Sequence, residues 1–337
     1  MKETQASSDH WTQQKEKAAG YWVLKFCLIL FRLLPVILLR VLAFPVGFFY
    51  FIFSKRTRAE SGRFLKRVAA FTDNGKTAKK CRSCFGPLRH IISFSLNFVE
   101  KLQSWGGKFL FEGIHYQEDD VHELVDGMEK GKGAILIASH LGNIELLRGL
   151  VGLNRAGVHR NIPLTAIIDT EVTAHFSRMM KELNPQTVLD IITVDQIGPQ
   201  TVALLEEKLS SGGMITITGD RTSSTGTSKN LLIPFLGEDA QFPYGPFYLA
   251  SLLEVPIYFI FSLRQGELAL KPEYNMHVHK YSAVPPSADT PPVEGGRKQR
   301  LKAVSAMVRY FAALMESYCK KEPFQWYNFF DFWQKEV

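Results

Sequence analysis

Cysteine is scarce in this 337-residue chain, with only Cys27, Cys81, Cys84 and Cys319. Cys81-Arg-Ser-Cys84 is a lone C-x-x-C between Lys79-Lys80 and Phe85-Gly86-Pro87. A zinc site needs four ligands, and no second pair or nearby histidine completes one, so no metal is expected. There is no Asn-x-Ser/Thr sequon, and nothing argues for an oxidising compartment. The Gly-x-Ser-x-Gly turn that exposes a hydrolase nucleophile is missing too. Neither an internal repeat nor a low-complexity tract occurs. The most apolar stretch, Tyr21 to Phe53, is interrupted by Lys25, Arg32 and Arg40, leaving charge-free runs of 6, 7 and 13 residues. A spanning helix needs about 20. No small-residue cleavage site follows, which argues against a secretory signal.

Hydrophobic residues make up 46% of the chain and charged ones 22%, a globular balance, and the length suffices for one large domain. The net charge of +7 points to an anionic partner, and its distribution points to lipid rather than nucleic acid. Lys25 and Arg32 share a helix face and Arg40 lies within about 80° of it, as on a helix lying in a membrane interface. Pro35 and Pro45 would break the segment into pieces. Lys55, Arg56, Arg58, Arg63, Lys66 and Arg67 follow at once, opposed only by Glu60. Such a cluster beside apolar sequence favours an anionic membrane surface on the cytoplasmic side. The expected organisation is a polar tail over 1–20, a membrane-associating apolar and basic segment over 21–67, and one domain over 68–337.

From about residue 105 strand and helix patterns alternate. Strands are predicted at Lys108–Phe111, Ala134–Ser139, Pro163–Ile168, Ile191–Val194, Met214–Thr218, Pro256–Phe261 and Leu268–Leu270. Helices are predicted at Asp119–Lys130, Ile144–Leu153, Thr173–Leu183, Pro199–Ser210, Tyr244–Leu253 and Lys298–Lys320. The Pro- and Ser-rich stretch Tyr281–Gly296 reads as a loop. The expectation is an α/β fold, a mixed central sheet with helices on both faces.

His140-Leu-Gly-Asn-Ile-Glu145 sits at one of these strand-to-helix junctions, where sites form in α/β folds. Five residues apart on one helix, His140 and Glu145 would point about 140° apart; they meet only if His140 stands in the turn, which Gly142 permits. Asn143 is a candidate N-cap. The pattern suits a general base oriented by a carboxylate, beside free backbone N–H groups. A second His-x4-acid pair, His115 with Asp120, lies in an acidic run and reads as a solvated turn. Ser139 is a poor nucleophile, because neighbours at a strand end point to opposite faces.

Further stretches look like site material: Gly219-Asp220-Arg221 after a second strand, Pro234-Phe-Leu-Gly237 with Phe242-Pro-Tyr-Gly-Pro246, and the tail Pro323–Trp333 with seven aromatics in eleven residues. The tail could cap the core or line a groove for acyl chains.

With Ser139–Glu145, Val255-Pro-Ile257 and Phe324-Gln-Trp-Tyr327, these blocks resemble the lipid A biosynthesis lauroyl/myristoyl acyltransferase family of the lysophospholipid acyltransferase superfamily, over nearly the whole chain. The resemblance implies a glycerolphosphate acyltransferase-like fold for 68–337 and transfer of a fatty acyl group from an acyl-carrier-protein or acyl-CoA thioester to a hydroxyl of a lipid or glycolipid. It implies a place on the cytoplasmic face of a bacterial inner membrane, and no metal or cofactor. On this reading His140 is the general base, Glu145 holds the imidazole, and Gly142, Asn143, Asp220 and Arg221 form the substrate-binding part, with Arg221 facing an anionic group and Asp220 ordering its loop. Glycerophosphate acyltransferases usually carry Asp where Glu145 stands, and Phe-Pro-Glu-Gly-Thr where this chain has Thr218-Gly-Asp-Arg-Thr222, so a glycerophosphate acceptor fits less well. The aromatic tail fits a divergent branch. The alternative is a non-catalytic membrane-bound partner that binds acyl carrier or lipid on the same fold.

Overall fold

The computed structural model describes residues 26, 29–105, 113–117, 120–147, 151, 158–169, 189–222, 229–282 and 296–333. The polar tail, the strand expected at Lys108–Phe111, the helix expected at Thr173–Leu183, most of the Tyr281–Gly296 loop and most of Ile144–Leu153 beyond Leu147 lie outside these residues.

After the helical residues 29–33 come α1 Val36–Phe53, α2 Lys55–Phe71, α3 Gly75–Arg82 and α4 Gly86–Trp105. An α/β body follows, with β1 Ile114–Gln117, α5 Asp120–Glu129, β2 Ala134–Gly142, β3 Leu164–Ile168, β4 Leu189–Thr193, α6 Pro199–Ser210, β5 Met214–Thr218, β6 Asn230–Phe235, β7 Glu238–Pro243, α7 Gly245–Leu252, β8 Ile257–Arg264, β9 Tyr274–Lys280 and α8 Gly296–Lys321. The seven-stranded sheet runs β1-β9-β8-β2-β5-β3-β4. It is mixed: β8 and β9 are antiparallel, and the other pairs are parallel.

Side-chain alternation splits the core in two. Ile135, Ile137, Ile215, Ile217, Phe259 and Phe261 pack with Leu205 and Leu209 of α6, Phe247 and Leu249 of α7, and Val304 and Phe311 of α8. Leu136, Ala138, Tyr258 and Ile260 face the other way, onto Val121, Leu124 and Met128 of α5. Burial on both faces explains the continuous apolar runs of the central strands.

Two expectations are corrected. Pro45 does not break the apolar segment but lies inside α1. Leu268–Leu270 is a turn, not a strand. The carbonyls of Gly266 and Glu267 accept from the Arg264 guanidinium at 3.0 Å each, and that of Ala269 accepts from it too. The strand that follows is β9, whose Tyr274, Met276 and Val278 are buried while the residues between are half-buried. The Pro234–Gly237 and Phe242–Pro246 blocks flank a turn as expected: they belong to a hairpin, β6 against β7, closed at Leu236 and Gly237 and leading into α7. The expected 67/68 boundary lies within α2, whose Phe64, Leu65, Val68 and Ala69 are buried in the main core.

One buried ion pair ties α4 to the sheet. Arg264, at the end of β8, contacts Glu100 through Nε and Nη2 at 3.0 and 2.9 Å, with side-chain exposures of 1% and 0%. The Tyr274 hydroxyl donates to the other Glu100 oxygen. Gln325 clamps the same strand end, its amide accepting from Arg264 N and donating to Arg264 O at 2.7 Å each. Breaking one half of such a pair strands a buried charge, whereas replacing both halves by apolar groups can be neutral. Glu100→Ala should therefore cost about 3–5 kcal/mol in denaturant unfolding. Glu100→Leu with Arg264→Met should recover most of it; a double variant as unstable as the single one would show that the hydrogen bonds to the 266–269 turn matter more than the charge.

Candidate active site

β2 and β5 are adjacent, parallel and central, and they pair in register up to Ala138 and Thr218. His140 and Asp220 each follow two residues later, so the register alone delivers them side by side. A bulge then re-aims the end of β2: Ala138 pairs with Ile260, but Gly142 pairs with Ser262. Two extra residues are thus looped out around His140, as bulges beside sites commonly do. Gly142 has φ +79°, and a Cβ there would lie 2.0 Å from the Ser262 carbonyl oxygen. Only glycine fits. Asn143 N donates to that same carbonyl at 2.9 Å, and its side chain caps the short 3-10 helix Ile144–Leu146 by accepting from Glu145 N at 3.1 Å.

Asp220 is 1% exposed and accepts three hydrogen bonds. His140 Nδ1 lies 2.9 Å from Oδ1; His140 N and Trp326 Nε1 donate to Oδ2 at 2.8 and 3.2 Å. Burial alone would raise this carboxyl, but the contact with His140 and the neighbouring Arg221 outweigh it and hold Asp220 below the usual carboxylate range. Burial, with the Arg221 charge, holds the His140 imidazole below its ordinary value. The tautomer these contacts favour carries its proton on Nδ1, toward Asp220. Nε2 makes no hydrogen bond among the described residues and keeps its lone pair. His140 and Asp220 form a base with an orienting carboxylate.

Glu145 is not that carboxylate, which corrects the pairing expected from the His-x4-acid spacing. Its backbone is committed to the 3-10 turn, its side chain is half-buried, and its charge acts on the half-buried ammonium of Lys101. Arg221 is half-buried, donates from Nη2 to the Tyr327 carbonyl at 3.3 Å and lies 6.0 Å from the Phe330 ring centre. Gly142 and Asn143 shape the turn. Ser139 is buried, and its hydroxyl accepts from Leu141 N at 3.2 Å, so it is tied into the turn. His115 is exposed on the edge strand β1, away from this constellation.

Lys101 escapes pattern reading, and so does the contact that Trp326 makes with Asp220. Lys101 lies on α4, a helix for which the His140 motif gives no signal; its charge interacts with those of Glu145, Arg221 and Asp220, and burial lowers its pKa. Trp326 comes from the aromatic tail, which caps the core. Its ring packs edge-on against Phe64, Phe235 and Phe332 at 5.0–5.4 Å. Its backbone bridges antiparallel to Leu141, one residue past the base. Its carbonyl accepts from the buried His90 ring, Nε2 at 3.0 Å, while Ser61 meets His90 Nδ1 at 2.9 Å. The indole N–H is thus delivered to Asp220 from a fixed platform.

Trp326→Phe keeps an aromatic ring and removes one donor from Asp220. Both the carboxyl and the imidazole should then hold their protons to higher pH, since the carboxylate is less stabilised and its charge acts more fully on His140. An upward move of the His140 titration, followed by NMR in the folded variant, is expected; an unchanged titration with only a lower unfolding temperature would reduce Trp326 to core packing. Compared with known protein families and with curated proteins, the chain matches none.

Proposed function

We propose that this protein is a membrane-associated acyltransferase of glycerolphosphate acyltransferase-like architecture. It moves a fatty acyl group from an acyl-carrier-protein or acyl-CoA thioester to a hydroxyl of a lipid or glycolipid, at the cytoplasmic face of a bacterial inner membrane. The observation that carries this reading is the His140 imidazole, with Nδ1 taken by Asp220 and Nε2 unbonded, at the ends of the central parallel strands. The motif resemblance supplies the reaction class, and the exposed apolar face of α1 beside exposed Lys55 and Arg56 supports membrane attachment.

In this reaction Nε2 takes the proton of the acceptor hydroxyl as its oxygen bonds to the thioester carbon. The C–S bond then breaks, and the imidazolium returns the proton to the departing thiolate. An ester and a thiol result, and His140 is neutral again. Asp220 stabilises the imidazolium while it exists. Lys101 and Arg221 offer cations to an anionic group of donor or acceptor.

The test is transfer of radiolabelled acyl groups from acyl carrier protein to total lipid by the full chain in detergent. His140→Ala should lose about 10²- to 10⁴-fold in rate, the usual contribution of a positioned base. Asp220→Asn should lose a comparable factor, because the amide breaks the charge contact and the tautomer. Glu145→Gln should lose less than either. Equal rates for Asp220→Asn and wild type would sink the pairing.

The pH profile gives a second reading. The base works when neutral, and its pKa is held below the ordinary value of about 6.5, so the acid limb should have its midpoint below pH 6.5. Activity should fall only as pH drops through that lower value. A midpoint above 6.5 would mean that another group limits the rate. For Arg221, Lys keeps the charge and loses the fork: Arg221→Lys should raise KM more than it lowers kcat, and Arg221→Ala should damage both. An Arg221→Ala variant with lower melting temperature but unchanged KM would leave Arg221 only its bond to Tyr327.

A further inference from the structure

The aromatic tail reaches the dyad through one tight turn. Asn328 N donates to the Trp326 carbonyl at 2.7 Å, which closes a three-residue turn over 326–328. That turn touches both members of the Asp220-Arg221 pair: the Trp326 indole donates to Asp220, and the Tyr327 carbonyl accepts from Arg221 Nη2. Two residues on one face of α4 support it from behind. His90 Nε2 meets the Trp326 carbonyl and Ser93 Oγ meets the Tyr327 hydroxyl, each at 3.0 Å.

The His90 contacts have one chemical solution. A carbonyl only accepts, so Nε2 carries the proton, and Nδ1 accepts from the Ser61 hydroxyl at 2.9 Å. The ring is fully buried, among the rings of Phe64, Tyr327 and Phe329 at 4.8–6.1 Å. Burial lowers its pKa to about 4, so it stays neutral where a base such as His140 titrates. Packing alone would be served by a hydrocarbon ring, since buried ring nitrogens cost free energy unless each is bonded. His90 is therefore a rigid donor held in one tautomer.

We infer that His90 is a positioning residue of the catalytic centre: through the 326–328 turn it places the indole N–H on Asp220 and the Tyr327 carbonyl at Arg221, and so sets how firmly His140 holds its proton. The inference rests on the base role proposed above for His140. That imidazole is faced by Asp220 and Arg221 from the loop after β5 and by Lys101 from α4. Among the described residues His90 bonds to none of the three and reaches them through the turn. The indole bond to Asp220, at 3.2 Å, stands at the long end of the normal range, so a small displacement of the turn forfeits it. Asp220 would then keep two donors, both from His140, and its charge would act more fully on the imidazole.

His90→Phe keeps a ring and removes the donor, whereas His90→Gln keeps an N–H near the place of Nε2. The experiment follows isotope-labelled histidines by NMR in the full chain in detergent, with His140 identified by its loss in His140→Gln. The His140 titration should move up in His90→Phe, as in Trp326→Phe, and return most of the way in His90→Gln. The double variant His90→Phe/Trp326→Phe should titrate like Trp326→Phe alone, because both changes act on one hydrogen bond. In the transfer assay the acid limb of His90→Phe should follow the titration upward, and KM should rise through Arg221. An unmoved His140 titration in folded His90→Phe, or shifts that add in the double variant, would reduce His90 to packing and overturn the inference. Should His90→Phe not fold, Tyr327→Phe tests the turn from its other support: it loses only the hydroxyl that meets Ser93, and His140 should again move up, an unmoved titration being the overturning result. The titration is read without substrate, so a shift in a protein that transfers no acyl group would support the coupling while refuting the proposed reaction.

Discussion

A carboxylate sealed from water must find donors, and Asp220 finds three from two distant parts of the chain: the backbone and ring of His140, and the indole of Trp326. Much else in the fold serves that meeting. The register of β2 on β5 sets the two loops level, the bulge turns His140 toward the carboxylate, and Gly142 lets the chain pass the Ser262 carbonyl closely enough to hold the bulge. The tail supplies the last donor from a backbone pinned to Leu141 and to the His90 ring. The free energy of ordering eleven tail residues is offset by burying their aromatic surface, so the indole contact to Asp220 rests on core packing.

α4 links this centre to everything N-terminal of the sheet. One face carries His90, Ser93 and Glu100, which reach Trp326, Tyr327 and Arg264; another receives the α1 stripe. Lys101 projects from the same helix into the electrostatic surroundings of the dyad. The same helix thus separates the apolar surface of α1 from the turn that carries His140.

Much was legible beforehand. Short apolar runs without charge marked the central strands, because both faces are covered, and α6 and α8 followed from 3.6-residue periodicity and their terminal residues. β9 lies outside the predicted strands although Tyr274, Met276 and Val278 alternate with polar residues, because short alternation is a weaker signal than a continuous apolar run. At α2 the basic residues read as a lipid-facing cluster, while Phe64, Leu65 and Val68 between them face the core.

The sequence by itself determined the α/β alternation, the turn at Gly142, the candidacy of His140 and Asp220-Arg221 as site residues, and the apolar character of residues 36–53. Those are local properties, written in periodicity, glycine and charge. The partner of His140 was decided only in three dimensions. Spacing along the chain nominated Glu145, five residues away, but the backbone there winds into a tight 3-10 turn and takes that side chain toward Lys101. Strand pairing brings a carboxylate from 80 residues away, and tail packing brings an indole from 106 residues beyond that. No linear pattern encodes such distances, because they follow from which strands pair and which surfaces must be buried together.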